Sequence, residues 1–136
     1  MPPLNDTPTP STDAIDVPSL RDRIAGQTSL LRELLTVFDQ QYPEQIARLR
    51  GAAERSDAEE LRRAAHRLIG TLACFSATRA VDAARAVERH AAEGDVANAS
   101  VGVETIEREV AVAASALARL AASGFAPAAV GEGARR

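Results

Sequence analysis

Four long stretches of this chain repeat apolar residues every three or four positions, and none alternates with the two-residue period of a strand. Leu31, Leu34, Leu35, Phe38, Tyr42, Ile46, Leu49 and Ala53 make the first stripe, and Leu61, Ala65, Leu68 and Leu72 the second. Ala80, Val81, Ala84, Val87 and Ala91 make the third, and Val103, Ile106, Val110, Ala113, Leu117 and Leu120 the fourth. A helix with one apolar stripe draws most of its stability from packing that stripe against something else, so the four must cover one another. The last stripe keeps a near-heptad spacing suited to a bundle seam. Much of the apolar content is alanine, which lets helices approach closely. Aromatic residues are few: Phe38, Tyr42, Phe75 and Phe125.

Local signals divide the chain into five helices. A short one spans about Pro18 to Ala25, with Gly26 as its stop. The second runs from about Thr28 to Arg55, and Pro43 is expected to interrupt it with a kink near Gln40 to Tyr42. The third opens on Ser56-Asp57-Ala58-Glu59, read as a capping box in which Ser56 and Glu59 satisfy each other's amides, and extends to about Phe75. The fourth covers about Thr78 to Ala92 and ends at Gly94, and the fifth continues from near Asp95 to about Ser123. Residues 1–16, rich in Pro, Thr and Asp, and residues 124–136 read as disordered tails around a domain at 17–123. The expected fold is all-α: an antiparallel up-down-up-down four-helix bundle with a short additional N-terminal helix as a lid.

Composition narrows the function. The 136 residues carry a formal charge of −3, with no basic tract or aromatic platform, so nucleic acid is not an expected partner. All sixteen basic residues are arginine. The lone Cys74 leaves no disulfide framework or thiolate zinc cluster, and its place beside an apolar run predicts a buried structural thiol. No apolar run approaches the roughly 20 residues of a membrane span, and the N-terminus has no signal-peptide pattern; a soluble, cytoplasmic protein is expected. Neither a glycine-rich phosphate loop nor a serine or cysteine nucleophile constellation is present.

One residue stands out. On the helix of the second stripe, His66 lies roughly 130° from the centre of the apolar face and should point to solvent. One turn later comes Gly70, which costs a helix interior about 1 kcal/mol relative to alanine. A glycine beside an outward histidine suggests that something must come close to the ring. His90, near the end of the fourth helix, has no such glycine and reads as a structural residue whose imidazolium suits the helix dipole. The two histidines have no ligand-spaced partners, so no metal site is expected.

The stretch Ala65-His66-Arg67-Leu68-Ile69-Gly70-Thr71-Leu72-Ala73 resembles the motif of histidine-containing phosphotransfer (Hpt) domains. That motif is an alanine-histidine pair, a spacer, leucine, usually lysine, then glycine and small residues. The likeness extends to the Tyr42-Pro43-Glu44 break, the Ser56-Asp57-Ala58-Glu59 start and Val87-Glu88…Glu93-Gly94-Asp95, and covers about residues 17–122. Two positions depart from it: the usual lysine is Ile69, and a common glycine ten residues after the histidine is Ser76, a difference expected to concern only the start of the next helix.

The resemblance implies that His66 is a phosphoacceptor, taking a phosphoryl group from a receiver-domain aspartate and passing it on in a multistep two-component phosphorelay. Imidazole has a neutral, nucleophilic form near pH 7. The receiver would supply Mg²⁺ and most of the catalytic groups, and this chain would bind no cofactor. Gly70 and Ala73 would let the receiver's active-site loop approach. Ile69, with Leu72 at its edge, would form an apolar docking patch. Arg63 and Arg67 are the arginines placed to replace the missing lysine, Arg62 being a third nearby, and Glu59 is read as a cap rather than a group polarising the ring.

The expected function is therefore that of a monomeric, stoichiometric phosphocarrier without an ATP site. Its partners would be the receivers of a hybrid histidine kinase and of a response regulator. An alternative is an Hpt-like adaptor that binds receivers without transfer, for which the absent lysine is the best argument. A third is an unrelated dimerisation module built on the alanine-rich fifth helix.

Overall fold

Packing sets which of these stripes meet, and it sets them in a ring. The structure, a computed structural model, describes residues 14–124. It contains α1 (Val17–Arg23), α2 (Thr28–Glu54), α3 (Ala58–Cys74), α4 (Thr78–Ala92) and α5 (Val96–Ser123), with no strand among the described residues. Both α2 and α4 pack against α3 and against α5. Contacts between neighbours run in opposite chain directions. Arg32 Nε donates to the Ala121 carbonyl at 3.0 Å, whereas Arg50 further along α2 pairs with the earlier Glu107. Arg79 reaches Glu109 at 2.9 Å, while Val87 lies against Gly102. The expected antiparallel bundle is the one found.

Three-residue connections produce these reversals, and they share one hydrogen-bond pattern. After α2, Ser56 adopts φ 54°, its amide donates to the Ala53 carbonyl at 3.1 Å, and the Asp57 amide donates to Ala52 at 2.9 Å. Ser76 after α3 (φ 53°) and Gly94 after α4 (φ 78°) repeat the pattern. The next helix then starts at once. This corrects the expected capping box: Ser56 terminates α2, and Asp57 is the cap, accepting from the Glu60 amide at 3.1 Å. Asp16 and Asp95 cap α1 and α5 in the same way.

All four stripes are inside. Leu31, Phe38, Leu49, Leu61, Leu68, Leu72, Val87, Ile106 and Leu117 are all but completely buried, and Phe38 stacks on Tyr42 with ring centroids 4.9 Å apart. The short N-terminal helix adds Leu20 and Ile24 to the same core. Ile15 is also buried and the Asp16 amide donates to the Ser76 carbonyl at 2.8 Å, so these two residues of the expected N-terminal tail pack on the bundle. The rest of the two expected tails, residues 1–13 and 125–136, lies outside the described residues.

Two further expectations are corrected. Helix α2 continues through Pro43, so the expected interruption is not found. Proline removes the donor for the carbonyl of Asp39, but both residues are exposed, so water can satisfy that group. Cys74 is exposed rather than buried. It sits two turns after Arg67, on the flank of α3 that faces water instead of the Leu68–Leu72 stripe.

Candidate functional site

The outward position that helical periodicity assigns to His66 is what the structure has: its side chain is 72% exposed. The ring is not loose, however. Its Nδ1 lies 2.8 Å from Oε2 of Glu88, which rises from α4 and is itself only 28% exposed. A carboxylate offers only acceptors, so Nδ1 carries the hydrogen and donates it. In the neutral ring the lone pair then belongs to Nε2. Ala65 and Leu68, both buried, hold the backbone under this ring. The arrangement is an oriented nucleophile on a rigid support.

Around it, the arginines are already sorted by partners. Glu59 accepts from Arg62 Nη2 at 2.7 Å and pairs with Arg63 at 3.3 Å. The Arg62 hydrogen bond, reinforced by the charges of Arg62 and Arg63, holds the Glu59 carboxyl below the ordinary carboxylate value. Glu59 is thus an ion-pair partner, neither the cap nor a group touching the ring. Arg63 is committed to it. Arg67 falls on the other flank of α3, where it lines a shallow cleft with Gln41, Glu44, Gln45 and Arg48 of α2. Gln45 Nε2 donates to Thr71 Oγ1 at 3.2 Å on that same flank.

Of the remaining expected site residues, Gly70 is exposed, and a Cβ built there would meet nothing within 4 Å. The space above it is open. Ile69 is half-buried against the core, and Ala73 lines a cleft between α1, α3 and α4. Leu72, expected at the edge of the exposed patch, is wholly buried, because it continues the Leu61–Ala65–Leu68 stripe. Ser76 does more than begin α4. It ends α3, is 6% exposed, and its hydroxyl donates to Ser19 Oγ at 3.0 Å, tying α1 to the histidine helix.

Glu88 is the partner of His66 that sequence reading missed. A signal existed: it stands one turn from both Ala84 and Ala91, which are buried, and is therefore an acid at the margin of the α4 stripe. Which residue of α3 it would face depends on inter-helix register, and periodicity within α4 is silent on that.

The Hpt domain family profile matches residues 33–122, from the first turns of α2 to the end of α5. The chain belongs to the Hpt family. No significant match is found among curated proteins or among solved structures. Hpt domains are phosphocarrier modules that work with receiver domains in phosphorelays. The exposed, Glu88-bonded His66 lies within the matched span of this Hpt domain, and no group of metal-ligating residues occurs among the described residues. No described helix is long and apolar enough to cross a membrane.

Proposed function

We propose that this Hpt domain accepts a phosphoryl group on Nε2 of His66 from the phosphoaspartate of one receiver domain and delivers it to the aspartate of another. The observation that carries this reading is the His66–Glu88 contact, which in the neutral ring keeps the hydrogen on Nδ1 and the lone pair on Nε2 of an exposed side chain. In the forward step the Nε2 lone pair forms a bond to phosphorus, and the bond from phosphorus to the aspartyl oxygen breaks. The carboxylate leaves with that electron pair. The ring becomes an N-phosphoimidazolium with its hydrogen still on Nδ1, facing the Glu88 carboxylate. Onward transfer reverses the sequence at the second receiver, and the electron pair returns to Nε2.

Such a transfer needs in-line positioning and charge neutralisation more than covalent help from the carrier. Mg²⁺ and the remaining catalytic groups belong, on this reading, to the receiver. Open space over Gly70 supports close approach of a receiver loop. Partners are the receivers of a hybrid histidine kinase and of a response regulator, and the carrier acts stoichiometrically, without ATP. One feature favours a second reading, an adaptor that binds receivers without transfer: half-buried Ile69 stands where the family usually has lysine.

The test is to phosphorylate wild type and His66→Gln side by side with a phosphorylated receiver and with phosphoramidate, followed by intact mass. An acid-labile gain of one phosphoryl group in wild type alone establishes the carrier. Receiver binding without any labelling selects the adaptor.

A further inference from the structure

Helices α3 and α4 run antiparallel in a register that can be read from two places. His66 is bonded to Glu88, and two turns further along α3, Ala73 shares a cleft with Val81 of α4. The position between those two pairs sets Ile69 of α3 level with Arg85 of α4. Arg85 is exposed, lines the same cleft, and is one turn from Glu88 on the surface of α4, a separation of about 5–6 Å between Cβ atoms. It makes no hydrogen bond or ion pair among the described residues, although Asp16 and Asp82 line the same cleft.

From this placement we infer that Arg85 is the cation that contacts the phosphoryl group on His66, supplied from α4 at the level where Ile69 leaves α3 without a charge. The inference rests on the phosphocarrier reading above. Arg62 and Arg63 are engaged by Glu59, and Arg67 belongs to the α2 flank, away from Glu88. Small Ala73 and short Val81 keep the cleft open, so the guanidinium can swing toward the ring without leaving a buried partner behind. A planar guanidinium can donate two parallel hydrogen bonds to phosphoryl oxygens. The covalent step is unchanged; Arg85 offsets the charge that arrives with the phosphoryl group.

The test uses phosphoramidate alone as donor: Nε2 bonds to phosphorus as the donor's P–N bond breaks and ammonia leaves. Labelling rate and the ³¹P NMR pH midpoint of the phosphohistidine are measured for wild type, Arg85→Gln, Ile69→Lys/Arg85→Gln and Arg89→Gln. The last removes the same charge from an exposed position of the same helix. A neighbouring cation favours the dianionic phosphoryl form, so Arg85→Gln should raise the midpoint and slow labelling about tenfold, the scale of one charge-assisted hydrogen bond. Ile69→Lys should restore both, and Arg89→Gln should leave the midpoint in place. A labelled Arg85→Gln with the wild-type midpoint, or an equal shift in Arg89→Gln, overturns the role of Arg85 and leaves the carrier intact. A wild type that takes no phosphate, or that labels no better than His66→Gln, overturns the carrier and Arg85 with it.

Discussion

Glu88 Oε2 stands 2.8 Å from His66 Nδ1, joining two helices through residues 22 positions apart and determining which ring nitrogen is free. Replacing Glu88 with alanine should let the ring rotate and exchange tautomers. Imidazole ¹⁵N shifts will then move from an Nδ1–H pattern to a mixture, and labelling of His66 should fall about tenfold, as for loss of one hydrogen bond to a charged group. Unchanged ¹⁵N shifts in the variant would show that the contact does not set the tautomer.

Gly70 separates docking from chemistry. Because a Cβ there meets nothing within 4 Å, Gly70→Ala should raise stability by up to about 1 kcal/mol, the helix-propensity gain. Gly70→Leu should also fold, yet slow transfer from a receiver on the order of tenfold by steric exclusion, while labelling by phosphoramidate persists. Equal losses with both donors would place the effect on the ring and not on the docking surface.

Gly102 has the opposite surroundings. A Cβ on this α5 residue would stand 2.6 Å from Val87 Cγ2, and Val87 is completely buried. Gly102→Ala should cost about 1–3 kcal/mol through overpacking, measured by urea unfolding, and adding Val87→Ala should recover part of it. Since Val87 adjoins Glu88, the single variant should also weaken the Nδ1–H signature of His66. A neutral Gly102→Ala would mean that α4 and α5 separate at no cost.

Acid should destabilise the fold at two identifiable carboxylates. Hydrogen bonds from the Asn98 side chain and amide, with a smaller contribution from His90, hold Asp95 below its ordinary value of 3.8, and Arg62 and Arg63 hold Glu59 below 4.5. Both pKa values are depressed on folding, so their stabilisation is complete above the ordinary values and is lost as pH falls through the folded ones. The melting temperature should therefore drop as pH falls below about 5 and through the depressed folded-state values. Asp95→Asn should flatten that drop, and salt should shrink the Glu59 part, because the pair is exposed. A pH-independent melting temperature across this range would remove the assignment.

Much of this was legible in one dimension. The four stripes, the helix spans to within a few residues, the outward His66 and the exposed Gly70 all follow from a period of 3.6 residues, which is a property of neighbours along the chain. Errors gathered where two elements compete for one residue. Ser56 looked like a cap and is instead the left-handed end of α2, which passes the cap to Asp57. Cys74 looked apolar enough to bury, but two residues past Leu72 carry it about 200° around the helix, into water.

What the sequence determined alone is the bundle and the histidine it displays, because periodic burial and helix termination are local. Only the tertiary structure decided the surroundings of that histidine. Glu88 on Nδ1, Arg67 on the α2 flank and Arg85 level with Ile69 are set by rotation and register between packed helices, whereas the Glu59 pairs with Arg62 and Arg63 are local to α3. A shift of one turn between α3 and α4 would keep apolar positions facing one another and yet give His66 a different partner, which is why the core could be read from the chain and the partner of His66 could not.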